Sequence, residues 1–150
     1  MEGNLLDSTL PSEIGRLTSL LGFFLSDNNL SGTMPAEVAL LASPAQPPGW
    51  GTSGLQLDSN LLEGSIPSEI GLLFRLPALL LQGNQLSGEV PQELFDLAEG
   101  GLLVDLSVTW NPLLSAFISE TVCLVDMQLD FDCSPVFFGC ACACEQNNTG

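Results

Sequence analysis

The chain carries the stretch Asn84-Gln85-Leu86-Ser87-Gly88-Glu89-Val90-Pro91, which recurs three more times with substitutions. The other copies begin at Asn4, Asn28 and Asn60, and a decayed fifth copy begins at Asn111. Successive Asn residues are 24, 32, 24 and 27 positions apart, so the unit is 24 residues long with insertions of eight and three. Self-similarity at such a period predicts a solenoid in which each repeat forms one coil.

Two apolar periodicities alternate within the repeat. Apolar residues lie five and three positions before the Asn from the second copy onward, as Leu79 and Leu81 do before Asn84. Alternation with period two over a short run predicts a half-buried strand. After each Pro, apolar residues recur at steps of three, as at Ile70 and Leu73, which predicts a short helix or 3-10 segment.

The polar and turn residues of the repeat have structural roles. The Asn at the strand's end is predicted to turn inward, where its amide bonds the backbone of its own and neighbouring coils. Ser-Gly after the next Leu is interpreted as a bend, because Gly adopts positive φ readily. The following Pro is predicted to occupy the first helical position.

The motif Leu-x-x-Asn-x-Leu-Ser-Gly-x-Ile-Pro, followed by Glu-Ile-Gly-x-Leu, resembles plant-type leucine-rich repeats. Such repeats occur in receptor-like kinases, receptor-like proteins and polygalacturonase inhibitors, and the resemblance covers roughly residues 4 to 114. It implies an α/β repeat solenoid, a leucine-rich-repeat horseshoe with a parallel concave β-sheet and short helical or 3-10 convex segments. It also implies an extracellular or cell-surface recognition role. The tail is similar to the Cys-rich ends of diatom-like algal leucine-rich-repeat proteins.

We expect two parts: residues 1–114 as a solenoid of about five coils, and residues 115–150 as a Cys-rich cap and tail. The first coil is expected to be incomplete, because only three residues precede Asn4 and Asp7-Ser8 replaces Ser-Gly. A terminal coil needs a polar cap, so we interpret the chain as a fragment whose missing part held the cap and a signal peptide. The uncapped N-terminal edge would allow a homo-oligomer to form.

The charge balance restricts the partner. The chain has eighteen acidic residues and only two basic ones, Arg16 and Arg75. It has no Lys and no His, so its net charge is −16. Nucleic acid and anionic membrane surfaces are disfavoured, because both require basic residues to neutralise phosphate, and a cationic partner is favoured. The apolar stretch 71–81 is interrupted by Arg75 and Pro77 and is shorter than the roughly 20 residues of a membrane span, so no membrane insertion is expected.

Residues between the buried positions of a strand face outward, which predicts a ligand-binding concave face. The predicted ligand-binding residues are Phe24, Ser26, Asp27, Gln56, Asp58, Leu80, Gln82, Ser107, Thr109 and Trp110. Phe24, Leu80 and Trp110 are candidate apolar anchors; the alternative is that degenerate repeats scatter hydrophobes without function. Trp50, in a Pro- and Gly-rich insertion, either docks a partner or folds back on a tolerated loop.

The composition predicts that the chain is not an enzyme and carries no cofactor. With no His, Lys or Tyr, the usual catalytic triads and Schiff-base chemistry are excluded. Metal sites are not expected: the tail spacing Cys-x-Cys-x-Cys differs from zinc knuckles, and Asp126, Asp130 and Asp132 do not match a helix-loop-helix calcium site. The acidic column Glu13, Glu37, Glu69 and Glu93 is interpreted as favourable placement in the first helical turns rather than as a cation-binding ridge.

The tail indicates an oxidising compartment. All five cysteines lie in the last 28 residues, and we take them as disulfide candidates with one thiol left over: Cys123, Cys133, Cys140, Cys142 and Cys144. Asn147 begins a glycosylation sequon, which matters only in a secreted chain. The start Met1-Glu2-Gly3-Asn4 lacks the basic n-region and continuous apolar h-region of a secretory signal, so we expect no signal peptide within this sequence.

Taken together, the sequence predicts a non-catalytic module for protein or peptide recognition, receptor-like and extracellular. Two alternatives stay open: an inhibitor of a secreted hydrolase, and a wall-associated structural protein that binds polysaccharide through cations.

Overall fold

Each complete repeat folds into one coil that carries two short strands and one helical segment. The computed structural model describes residues 4–17, 20, 22–41, 54–73, 76–115 and 128–130. The described strands are β1 (Phe23–Phe24), β2 (Ser31–Thr33), β3 (Gly54–Gln56), β4 (Leu61–Gly64), β5 (Ala78–Leu80), β6 (Gln85–Glu89), β7 (Asp105–Ser107), β8 (Leu113–Ser115) and β9 (Gln128–Asp130). The helical segments are the 3-10 segments Ser12–Arg16, Ala36–Leu41 and Ser68–Leu72 and the α-helix α1 (Gln92–Glu99).

The strands that precede the repeated Asn residues form one parallel sheet, which we call the concave sheet, in the order β1-β3-β5-β7-β9. Equivalent residues lie side by side, because Leu55 pairs with Leu79 and Leu79 pairs with Leu106. These leucines are buried, as is Leu81 beyond the strand. The predicted strands and their buried faces are therefore confirmed. Strand β9 extends the sheet beyond the strands that the repeat predicts.

The Leu-Ser-Gly part of the repeat forms a second parallel sheet, which we call the flank sheet, in the order β2-β4-β6-β8. The interpretation of this part as a bend did not include these strands. The Gly residues do adopt positive φ, for example 75° at Gly64, but within paired strands. A Cβ on Gly64 would lie 2.9 Å from Cγ2 of Thr33, so the position requires Gly both for its backbone conformation and for close approach of the neighbouring coil.

The inward-turned Asn at the end of each concave strand connects the two sheets. Asn84 Nδ2 donates to the carbonyl oxygens of Leu81 in its own coil and Leu57 in the preceding coil, both at 3.0 Å. Its Oδ1 accepts the N–H of Leu62, in the flank sheet of the preceding coil, at 3.0 Å. The equivalent Asn residues of the neighbouring coils form the same three bonds. The predicted inward orientation and backbone bonding of the Asn column are confirmed.

The flank sheet is shifted relative to the repeat, whereas the concave sheet is not. Ser31, the third residue after Asn28, pairs with Leu61, the first residue after Asn60. The shift is therefore two residues per coil, and one residue for the last pair, β6 and β8. The Asn bonds keep one offset in all these coils, since each Asn Oδ1 accepts the N–H of the second residue after the preceding Asn.

The predicted helical returns are confirmed on the side opposite the concave sheet. The Pro residues, however, do not occupy the first helical position. Pro11, Pro67 and Pro91 are extended N-cap residues with ψ of 148°, 136° and 138°. Their carbonyls accept the first helical bond, as in Ile70 N–H to Pro67 O at 3.1 Å. Proline is suited to that position because its own missing N–H is not needed there.

The core is a single stack of apolar side chains between the sheets and the helical segments. Ile70 and Leu94 from successive helical segments are fully buried, and Phe95 of α1 is 1% exposed. Because each coil buries its apolar face only against its neighbours, stability is distributed along the stack.

Several predicted features lie outside the described residues: Trp50, Cys123, Cys133, Cys140, Cys142, Cys144, Asn147, Asp126 and Asp132. The division at residue 114 between solenoid and cap stays a prediction. Within the part of the chain that is described, no helix is both long enough and apolar enough to cross a membrane.

Candidate ligand-binding surface

The outward residues of the concave sheet form rows that run across the strands. One row joins Phe24, Gln56, Leu80 and Ser107 through direct register pairs. Phe24 is 36% exposed, Gln56 and Leu80 are half-buried, and Ser107 is buried. The row is thus brought together as predicted, but its solvent-accessible part lies in the first three strands.

The Phe24 ring lies back along its own strand. A Cβ on Gly22 would lie 2.5 Å from the ring atoms Cε2 and Cζ, so the aromatic ring occupies the space in which a side chain at Gly22 would stand. This contact fixes the direction of the ring and leaves about a third of Phe24 exposed to solvent.

The next row, nearer the end of the strands, is more buried than predicted. Ser26 and Thr109 are 7% and 6% exposed, and Ser26 Oγ donates a 2.5 Å hydrogen bond to Asp58 Oδ1. The expectation that Ser26, Ser107 and Thr109 face solvent is therefore corrected.

Gln82 belongs to the same row and contributes a buried acceptor. Its side chain is half-buried, and within the described part of the chain no donor bonds its buried Oε1. Asp58, also half-buried, keeps a second carboxylate oxygen beyond the one that bonds Ser26.

The turn that follows each concave strand forms a third row, which we call the turn ridge: Asp27, Ser59, Gly83 and Trp110. Each residue immediately precedes a buried Asn and has a left-handed backbone, with φ of 56°, 55°, 70° and 59°. Trp110 is 75% exposed. Sequence reasoning placed these residues on the surface but missed their conformation. The signal was present in the column, since Asp and Gly both favour left-handed positions.

The charges on this surface have one sign. Asp27 is exposed, and Asp58 and Asp105 are half-buried. Asp105, in the row Gly54, Ala78 and Asp105, was not among the predicted binding residues. Arg16 ends the 3-10 segment Ser12–Arg16 on the opposite side. Within the described ranges, the concave surface therefore presents carboxylates and no basic side chain.

The acidic column on the convex side has the predicted placement. Glu13, Glu37, Glu69 and Glu93 each lie in the first turn of a helical segment and are exposed. In the described residues, no group of three Asp, Glu or Cys side chains is positioned to hold a metal ion.

Comparison with known proteins gives the fold a wider context. No model of a known protein family matches the sequence, and no curated protein matches it. Among solved structures, the LRR ectodomain of the receptor kinase SOBIR1 from Arabidopsis thaliana is 28% identical with a TM-score of 0.71, covering 87% of this chain and 66% of that one. The plant peptide hormone receptor RGFR1 in complex with RGF2 is 27% identical with a TM-score of 0.67, covering 87% and 23%.

A plant ice-binding protein is similar to the same degree, with 28% identity, a TM-score of 0.69 and coverage of 87% of this chain and 39% of that one. The chain spans between 23% and 66% of the length of these three proteins. Together with the parallel sheets and the Asn column, these likenesses establish that the chain has the leucine-rich-repeat solenoid fold of the plant type.

Proposed function

We propose that this chain is a non-catalytic, extracellular recognition module whose concave surface binds a protein or peptide that carries basic side chains. The observation that carries the proposal is the uniform sign of the charges in the described part of the concave surface: Asp27, Asp58 and Asp105 share it with the exposed apolar groups Phe24 and Trp110. Apolar anchors set among charges of one sign suit a partner of opposite charge, since the anchors contribute affinity and the charges direct the encounter.

The structural neighbours support a protein or peptide partner. One of them is a plant peptide hormone receptor in complex with RGF2, and another is the ectodomain of a receptor kinase. The fold alone does not decide the ligand, because a plant ice-binding protein shares it at similar identity. The choice therefore rests on the carboxylates and the aromatic side chains of this chain.

The size of the surface favours a short ligand. Five described strands at about 4.8 Å each, with four outward columns, give roughly 24 Å by 12 Å, or on the order of 300 Å². A standard protein interface takes about 800 Å² from each partner. An extended peptide segment, or a protein that inserts one, fits the available area better than a large flat partner.

The test selects 12-residue peptides from a random library on the immobilised protein at low salt. We expect enriched peptides to carry an excess of Arg and Lys. The double variant Asp27→Asn/Asp58→Asn should bind them roughly three- to thirty-fold less tightly, since each exposed ion pair contributes up to about 1 kcal/mol. Asn suits residue 27 because it tolerates left-handed φ.

The matched control is Glu69→Gln/Glu93→Gln, which removes the same charge from exposed positions on the convex side. It should leave binding unchanged. Enriched peptides without a basic excess, or equal losses in the two double variants, would count against the proposal.

The extracellular part of the proposal depends on the tail cysteines. If the chain is made in an oxidising compartment, we expect at most one free thiol among the five. Thiol counting on the denatured, unreduced protein measures this directly, and five free thiols would contradict an extracellular location.

A further inference from the structure

Trp110 occupies a backbone conformation that suits it poorly. The four turn-ridge residues share left-handed φ, and the other three are Asp27, Ser59 and Gly83. A bulky aromatic residue with φ of 59° is an outlier that costs free energy relative to Gly or Asn. Residues kept in such conformations cluster at functional sites, so an observed outlier is a reason to ask what the side chain does.

The Trp110 side chain is not retained for the core. It is 75% exposed, so burial of the indole cannot offset the backbone cost. Its neighbours in the core, Val108 and Asn111, are buried, and Asn111 bonds the backbone of its own and the preceding coil. The indole therefore stands at the edge of the concave surface as a large aromatic face in contact with solvent.

The position beside Trp110 on the ridge has no side chain. Gly83 N–H bonds Thr109 O at 2.9 Å, which fixes the two coils next to each other. The atoms nearest to a Cβ on Gly83 belong to Ser59, at 3.5 Å and beyond. The ridge thus has a notch with Gly83 as its floor and with Ser59 and Trp110 on either side, two coils or about 9.6 Å apart. We call this the Trp110 notch.

We propose that the Trp110 notch binds an arginine side chain of the partner, with the guanidinium stacked on the indole. This inference rests on the proposed function and specifies one subsite of it. Arginine fits because its planar cation stacks on aromatic faces, with tryptophan the strongest of them. The carboxylates of Asp27 and Asp58 on the same surface favour a cation over a neutral ring at this site.

The spacing of the groups predicts the peptide motif. Asp58 lies two coils from Trp110, so the two side chains are about 10 Å apart. A peptide in the polyproline II conformation that crosses the strands advances about 3.1 Å per residue and brings every third side chain to the same face, so three residues cover this distance. The partner segment is therefore Arg-x-x-Arg or Arg-x-x-Lys, with one cation on Trp110 and the other on Asp58.

The test uses Trp110 as its own reporter. The chain has two tryptophans, so in the variant Trp50→Phe the only indole fluorescence comes from Trp110. The probe is the blocked peptide acetyl-Gly-Arg-Gly-Ser-Arg-Gly-amide, and its control replaces both arginines with neutral citrulline. We expect a saturable change in Trp110 emission with the arginine peptide and binding at least about ten-fold weaker with the citrulline peptide.

The second measurement separates binding from folding. Trp110→Gly should weaken the arginine peptide about three- to thirty-fold, the range that a cation–π contact supplies, while its melting temperature rises because Gly accepts the left-handed backbone. Leu72→Ala, at a residue that is 63% exposed on a convex segment, is the control and should bind as the parent does.

Each outcome decides the inference. If Trp110→Gly binds as tightly as the parent, or if the citrulline peptide binds equally well, the notch is not an arginine site. If the arginine peptide binds, is weakened by Asp27→Asn/Asp58→Asn and leaves Trp110 emission unchanged, the inference fails and the proposed function stands. If neither this peptide nor any basic peptide from the library binds, both fail.

Discussion

Removing one amide from the Asn column should destabilise the whole stack, and Asn84→Ala is the clearest case. Asn84 is 5% exposed and its side chain bonds three backbone groups. The carbonyls of Leu57 and Leu81 keep a second amide donor in the variant, because Asn60 and Asn111 also bond them. The N–H of Leu62 loses its acceptor.

The expected loss of stability follows from the different fates of these three backbone groups. Two lost bonds whose acceptors stay satisfied cost about 1 kcal/mol each, and one buried N–H left without an acceptor costs about 1 to 3 kcal/mol. The free energy of unfolding should therefore fall by about 3 to 5 kcal/mol, a large fraction of the 5 to 15 kcal/mol typical of a domain.

Urea unfolding followed by far-ultraviolet circular dichroism measures this change. The midpoint should fall by about 2 M if the slope is unchanged. Asn29→Ala is the control, because Asn29 is exposed and directly follows Asn28, the residue of the Asn column in the second coil. It should change the unfolding free energy by less than about 0.5 kcal/mol. A loss below about 1 kcal/mol in Asn84→Ala, or equal losses in both variants, would refute the reasoning.

Three further substitutions test individual positions by thermal or urea unfolding. Gly64→Ala should lower the free energy of unfolding by about 2 to 3 kcal/mol, because the residue has φ of 75° and its new Cβ would lie 2.9 Å from Thr33. Gly101→Ala should lower it by only about 1 kcal/mol, because Gly101 has φ of 66° and a Cβ there would have nothing within 4 Å. Equal losses would mean that the contact with Thr33 is unimportant. Trp110→Gly should raise the unfolding free energy by about 1 kcal/mol, and a fall would show that the indole stabilises the fold. Gln82→Met should raise it by about 1 kcal/mol, because no donor among the described residues bonds the buried Oε1; a clear loss would show that this oxygen has a partner.

Much of the fold could be predicted because the sequence repeats with a regular period. The alternation around Leu79 and Leu81 identifies the strand, and the Asn that follows can satisfy its amide only by turning toward the backbone. Repetition in several copies makes each of these inferences stronger than a single copy would allow. Strand β9 was not predicted because its repeat lacks the Asn. Leu129 pairs with Leu106, and the residue five positions after Leu106 is Asn111, whereas the residue five positions after Leu129 is Ser134.

The accessible surface was harder to predict. Period two gives the direction of a side chain but not the height of its neighbours, so Ser107 and Thr109 point outward and are nevertheless buried. The conformation of Trp110 was missed for another reason. Asn111-Pro112, which follows it, signals a turn, but only comparison with Asp27 and Gly83 at the same repeat position indicates a left-handed backbone at Trp110 itself.

The two-residue shift in the flank sheet has a consequence for how ligands can use the repeat. On the concave side, equivalent residues superimpose from coil to coil, so a straight ligand laid across the strands meets the same column of the repeat at every step. On the flank, equivalent residues are displaced by about 6.6 Å from β2 to β4 and from β4 to β6, and by about 3.3 Å from β6 to β8. The same ligand would therefore cross a different column each time. A substitution that is copied into every repeat therefore builds a straight row on one side of the molecule and an oblique one on the other.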